Sequence, residues 1–565
     1  MSSQQTTEYR FHETKKSSRR NSYNLGESSA TKPSTFKCKL SQILASISCH
    51  LLVLDLCMSY SFTTIVIAAL LDSTDDLKLD ADQASWLGSI AFICQPLGSI
   101  MSGFIVEFFG RKWSMILVNM PFLLGWILYS VSNSVVMLYV TNVILGIGIG
   151  FMEAPIMTYI AETCQPELRG ILASMIGVTV QVSFFVVYLL GNVTGWRTAA
   201  AISAALPIIT ALFVTQTPMW LLSRGRTKDA ERALCWLRGW VTPDVVKEEF
   251  NQLVQYNSNT KTSTIIQLKT INPSPLSNLE REETNNINED HNEYRNSIHK
   301  DDNDESHCSL EILKELLKPP TLRPLMLVIP YFFLYQLGGM ASIRPYMVHV
   351  FREFGLDDVA EWITVGSAVI GIIGGICLVT TIDWLGKRFL SLVSFLGNGV
   401  ACLLLAVYSI VAIHPGSKDV ENSVTWVPLT LIVIFSFFSS VMFEVPWTML
   451  SEIFPFRTRG IASGFSAAMC YVFLFIASKT YLDLELNLEL YGTFLLFAVI
   501  NFIGFVFVYY RMPRMEGKTL EEIEEYFSAF GLGIHTVYVA RATLMVNPSH
   551  PSSKSGSNLK PSLKR

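Results

Sequence analysis

An all-α membrane protein made of two related six-helix halves is the fold that this sequence predicts. Half of its 565 residues are hydrophobic and only 16% are charged, a balance too apolar for an ordinary soluble domain. Twelve apolar runs have about the 20-residue length that a helix needs to cross a bilayer core. Two charged corners, "EFFGRK" at 107–112 and "DWLGKR" at 383–388, stand in matching places on either side of a long polar segment.

The first six runs lie at 43–71, 86–106, 113–132, 135–158, 171–191 and 199–222. The second six lie at 324–348, 362–382, 389–413, 426–450, 461–482 and 488–510. Unpaired backbone groups are costly in lipid and the runs lack the alternation of barrel strands, so each reads as a helix. The first follows a polar arm, residues 1–42, and is too long for the apolar core of a signal peptide. Arg10, Lys15, Lys16, Arg19, Arg20, Lys32, Lys37 and Lys39 precede it, whereas the loop after it, "LDSTDDLKLDADQ", is rich in aspartate. Positive segments stay inside, which places both termini in the cytoplasm with Lys112, Arg169, Lys387, Arg388, Arg457 and Arg459.

Residues 223–322 then form a cytoplasmic loop between a half at 43–222 and a half at 324–510, and 511–565 form a cytoplasmic tail. The ends of the loop, "GRTKDAERALCWLRG" and "SLEILKELLKPP", have the pattern of short amphipathic helices. Its middle, 255–307, is too rich in Asn, Glu, Asp and Ser to offset the entropy of ordering and reads as disordered. Within it, "DDNDESHCSLEI" lacks the glycine of a calcium loop. "GIGIG" at 146–150 lies inside an apolar run, where small residues serve close helix contact. "GKT" at 517–519 lacks the earlier glycine of a phosphate loop. With no Cys or His pair at metal spacing and no nucleophile elbow, the expectation is a protein that is not an enzyme and has no catalytic residue, cofactor or metal. Asn192 in "NVT" has the form of a glycosylation acceptor, in a loop too short to favour its use.

A second pair of motifs repeats the symmetry of the corners. "YIAETCQPELRG" at 159–170 ends the fourth run and "MLSEIFPFRTRG" at 449–460 ends the tenth, matching Glu162, Arg169 and Gly170 with Glu452, Arg459 and Gly460. Two doubled motifs at matching span numbers imply an internal duplication, the arrangement of secondary transporters with parallel halves. The corner glycines let the chain reverse at the membrane face. Glu107, Arg111, Asp383 and Arg388 are then placed at headgroup depth to meet Glu162, Arg169, Glu452 and Arg459, and this network is expected to latch the inner faces of the two halves. In the plainer reading the bases only fix topology.

These loops, with "PWTMLSEIFPFRTRG" and "GKTLEEIEEYF", resemble the sugar porter branch of the major facilitator superfamily. "SIRPYMVHVF", "GFMEAP" and "PFLLGW" resemble its insect facilitated trehalose transporter-like members, and the likeness covers nearly all of 43–528. It implies the major facilitator fold and a carrier that moves a sugar, trehalose or a hexose, across the plasma membrane by alternating access and facilitated diffusion. Membrane lipid is its surroundings, no nucleic acid is a partner, and a monomer is the expected working unit. A transporter-shaped sugar sensor and a carrier of a non-sugar solute are the alternatives.

The departures from the family pattern concern the same places. Glu107–Phe108 and Asp383–Trp384 stand where Asp-Arg is usual, Asn142 replaces an arginine, and "TQTPM" puts Gln216 and Met219 where an acid and a base are usual. In the implied pocket the helix-five glutamine falls on Gly177, with Gln181 one turn on and facing the same side. Helix seven reads "YQLGGMA", giving Tyr335 and Gln336; helix ten keeps Trp447 and adds Glu444; helix eleven has Tyr471. Amides and an aromatic face suit a sugar, so Gln181, Tyr335, Gln336, Glu444, Trp447 and Tyr471 are the candidate substrate contacts. Asp55, one turn from Ser59 where the family's proton-coupling acid falls, is the candidate coupling acid.

Overall fold

The long apolar runs, punctuated by glycine and proline, fold as helices. The computed structural model describes residues 35–71, 77–255, 257, 318–413, 426–455, 458–515 and 520–529. The arm before 35, the polar middle of the central loop with its second amphipathic stretch, Arg457, the "GKT" triplet and the tail beyond 529 lie outside the described residues.

In the first half, α1 spans Thr35–Leu70 and α2 spans Ala81–Val131. Asp80 caps α2 in a reciprocal box with Gln83, and the chain reverses inside α2 at Gly110, whose φ of 78° favours glycine. There follow α3 (Val135–Phe151), α4 (Glu153–Thr163) and α5 (Pro166–Thr194). The next two are α6 (Trp196–Ser203) and α7 (Ala205–Phe213). The amphipathic start of the central loop forms α8 (Pro218–Ser223), α9 (Thr227–Leu237) and α10 (243–255).

The second half opens with α11 (Pro319–Gln336), which breaks by 49° into α12 (Met340–Ile343) and α13 (Met347–Glu353). The "GG" pair marks the break, with Gly339 at φ 115°. Then come α14 (Ala360–Leu385), α15 (Lys387–Tyr408), α16 (Trp426–Ile453), α17 (Arg459–Arg511) and α18 (Leu520–Ala529). Among the described residues nine helical stretches are long and apolar enough to cross a membrane, or ten if the bent pair beginning with α11 is one span. Their outward faces are apolar, including Leu97, Ile100, Leu124, Ile208, Ile373 and Leu404, which suits contact with lipid.

Several sequence expectations meet the structure here. The first helix begins by Thr35, eight residues before the apolar run, because its polar end finds protein partners. Ser41 donates to the Leu237 carbonyl at 2.8 Å, and Gln42 exchanges hydrogen bonds with Gln165 at 2.8 and 2.9 Å. The "GIGIG" glycines do serve close packing: a Cβ at Gly146 or Gly150 would overlap the carbonyl of Ala91 or Gln95 on α2. Asn192 lies in the last turn of α5, not in a loop.

The halves meet firmly at the end where α2 begins. Ser85 donates to the Lys479 carbonyl at 2.7 Å, Ser478 to the Gly88 carbonyl at 2.9 Å, and Lys479 pairs with Asp82 at 2.9 Å. Deeper in, Thr64 donates to the Arg344 carbonyl at 2.8 Å. Gly88 matters at this seam, since a Cβ there would sit 2.8 Å from the Tyr346 hydroxyl. A pocket of about 680 Å³ opens beside it, lined by Leu71, Asp80, His349, Glu353, Glu485 and Glu489 among others.

Candidate functional site: the cleft between the halves

The cleft is built from α1 and α5 on one side and from α11, α12, α14, α16 and the first part of α17 on the other. Gln181 of α5 is 3% exposed and faces α14 across Gly371, where a Cβ would come 2.6 Å from its Oε1. Its Nε2 is buried without a partner. One turn back along α5, Gly177 makes room for Glu444 of α16, since a Cβ at 177 would come 2.6 Å from Glu444 Oε2. A carboxyl of α16 thus occupies the space that Gly177 leaves free on α5. Glu444 Oε1 has no hydrogen-bond partner.

Trp447 lies one turn from Glu444, and its ring meets Phe332 edge-on at 5.3 Å and Tyr471 at 6.3 Å. Its indole N–H is buried and unpartnered, a free donor beside an aromatic face. Gln336 is 4% exposed and donates to Cys470 Sγ at 3.0 Å, which joins α11 to α17. Tyr335 packs edge-on against Phe443 at 6.0 Å. The structure therefore gathers Glu444, Trp447 and Tyr471 in one neighbourhood and Gln181 on the opposite wall.

Asp55 stands apart from that cluster. It is fully buried on α1, and its Oδ1 accepts the Trp126 indole N–H at 2.7 Å. The Trp126 ring in turn meets Phe62 edge-on at 5.1 Å. Ser59 donates to the Asp55 carbonyl rather than to its carboxylate. Asp55 Oδ2 has no partner.

At the far end of the bundle, ionic contacts form at the duplicated corners. Arg111 pairs with Glu162 at 2.6 Å, and Lys387 pairs with Glu452. Each pair stays within one half, tying the corner to the end of α4 or α16, so in this conformation neither bridges the halves as a latch. The base that meets Glu452 is Lys387 and not Arg388, because "GRK" and "GKR" put different bases directly after the reversing glycine. Arg388 instead donates to the Tyr509 carbonyl at 2.7 Å, and Arg459 donates to the Phe454 carbonyl at 3.2 Å. Asp383 is exposed on the last turns of α14. The side chains of Glu107 and Arg169 lie outside the described set.

The sequence reading missed Arg344. It follows α12 directly, is 9% exposed, and its guanidinium sits 4.0 Å over the Phe184 ring of the opposite half. A small cavity of about 10 Å³ adjoins it, lined by Gln181, Phe184, Tyr188, Ser367 and Ser436 among others. The available signal was a lone base inside the apolar run 324–348, where a charge needs a purpose as much as an intramembrane acid does.

A helical bundle in two halves, with apolar outer faces and polar side chains lining the cleft between them, has the architecture of a membrane carrier of the rocking kind. The Major Facilitator Superfamily model matches residues 51–478, and the chain belongs to that family. It is similar to the facilitated trehalose transporter Tret1 of Culex quinquefasciatus, 27% identical, with 86% of each chain covered. It is also similar to Tret1 of Polypedilum vanderplanki, again 27% identical over 86% of this chain and 87% of that one. Among solved structures it is similar in fold to the inward-open xylose transporter XylE of E. coli. The TM-score is 0.62 at 16% identity, over 86% of this chain and 99% of that chain.

Proposed function

We propose that this family member is a multi-pass carrier that moves a sugar across the plasma membrane by alternating access and facilitated diffusion. In this reading the chain crosses twelve times. The reversals in α2 and α17 each separate two spans, α3 with α4 makes one, and α6 with α7 makes another. Both termini and the corners at Gly110 and Gly386 face the cytoplasm, and the seam at Asp82 and Lys479 faces outward. Trehalose is the solute in the names of its relatives, and a hexose is the simpler variant of the same chemistry.

The observation that carries the reading is the Glu444 and Trp447 neighbourhood. A free indole donor, an aromatic face and a carboxylate converge where α16 meets α5, and hydroxyl-rich rings are held by that combination. Purified protein in liposomes should take up a labelled sugar saturably. Trp447→Ala and Gln336→Ala should each reduce uptake about tenfold, the scale of one lost polar or stacking contact. Absence of saturable uptake across a panel of mono- and disaccharides, in protein shown to be folded, would refute the reading.

A further inference from the structure

We propose that the solute of this carrier bears a carboxylate, as a sugar acid does, and that Arg344 is the residue that receives it. The inference rests on the carrier reading above and replaces its neutral sugar with an acidic one. Arg344 projects from the broken helix of the second half onto Phe184 of the first, so it lies on the path that opens when the halves part. Among the described residues no carboxylate stands within 4.0 Å of it, and the ion pairs of the bundle involve other bases. An intramembrane guanidinium without a counter-ion is costly, and the usual compensation is an acid on a neighbouring helix. Here the Tyr188 hydroxyl hydrogen-bonds the guanidinium and Tyr60 and Tyr335 adjoin it, while the cleft acid Glu444 shares the neighbours Cys57 and Tyr335 with it without pairing.

A second observation points the same way. The cavity beside Arg344 is lined by two buried groups without a partner, the Gln181 Nε2 donor and the Ser436 hydroxyl, which can donate or accept, at 3% and 2% exposure. A guanidinium carries five donors in a planar fork matched to a carboxylate. Arg344, Gln181 and Ser436 together therefore present a surplus of donors, which an acceptor-only group satisfies and a neutral hydroxyl satisfies less well. At about 10 Å³ the cavity has no room for a ring in this structure. Its walls come from both halves, so it widens as they separate. One turn along α5, Glu444 and Trp447 then offer an acceptor and an aromatic face to the hydroxylated ring, away from the anionic end. The result is a polar axis across the cleft: anion at Arg344, hydroxyls at Glu444.

The test uses the full chain in proteoliposomes with labelled glucuronate, glucose and lactate. The proposal expects saturable glucuronate uptake that exceeds glucose uptake. It also expects an inside-positive potential of about 100 mV to drive glucuronate toward an inside excess of about fifty-fold, with glucose indifferent to potential. Arg344→Gln should lower the ratio of glucuronate to glucose uptake about tenfold or more, and Arg344→Lys by less. Glucose uptake that glucuronate neither accompanies nor inhibits overturns the proposal and leaves the carrier reading standing. Lactate uptake as fast as glucuronate overturns the sugar-acid assignment in favour of a general anion site. Uptake of none of the three, nor of neutral disaccharides, removes both. If Arg344→Gln does not fold, wild-type selectivity and its response to potential still decide.

Discussion

At the scale of single residues, Gly177 and Glu444 form the most informative pair. Gly177→Ala should push its new methyl into the Glu444 carboxyl and hold the halves out of register, lowering uptake several-fold. Adding Glu444→Ala removes the obstruction, so the double variant should recover part of the packing by thermal melting even though the proposed substrate contact is gone. Asp55 gives a different prediction. Asp55→Ala leaves the Trp126 indole N–H buried and unsatisfied, at a cost of about 1–3 kcal/mol visible as a lower Tm. Asp55→Asn keeps an acceptor oxygen and should melt close to wild type; loss of gradient-dependent uptake in that variant alone would mark proton coupling. Residue types were legible in the sequence where a run of lipid-facing side chains made a polar group conspicuous, as for Asp55 and Glu444. Which partner each one meets was not legible, because Trp126 and Gly177 lie 71 positions after the first and far before the second. Arg344 was hidden for a related reason. Near the end of an apolar run a base looks like a topology signal until the bend after Gly339 turns it into the cleft.

At the scale of elements, four reversals share one backbone conformation. Gly110 (φ 78°, ψ 169°) and Gly386 (φ 82°, ψ 150°) occupy equivalent corners in the two halves. Gly195 (φ 77°, ψ 156°) joins α5 to α6, and the corresponding turn of the second half falls on Glu489 (φ 57°, ψ 174°). Three of the four are glycine because a Cβ is strained there. Glu489 is the exception, so Glu489→Gly should raise stability by about 1 kcal/mol in a detergent melt. Gly110→Ala should do the reverse and more, since its Cβ would also overlap the Trp220 ring. The corners were legible from glycine amid charge. The extension of α1 back to Thr35 was not, because hydropathy registers contact with lipid and not burial of Ser41 and Gln42 against other helices. The ion pairs were half legible: the acids Glu162 and Glu452 follow from the doubled motif, whereas the choice of Lys387 depends on side-chain direction after Gly386.

At the scale of the whole molecule, the duplication seen in two short motifs becomes two bundles tied at one end by Asp82–Lys479, Ser85 and Ser478. The ion pairs at the opposite end, Arg111–Glu162 and Lys387–Glu452, each stiffen a single half. Such a division suits rigid bodies that rock about the cleft, with a seam that must break on one side as the other forms. Glu452→Gln should accordingly weaken the second half and slow exchange without abolishing solute binding, a change that reads as lower maximal uptake at an unaltered half-saturation. The most direct check of the rocking carrier is counterflow: liposomes holding the purified protein and a high concentration of unlabelled solute are diluted into a trace of the labelled form. Alternating access predicts a transient overshoot of label inside, because each outward trip with cold solute returns the site to capture hot solute. A monotonic approach to equilibrium with no overshoot would contradict it.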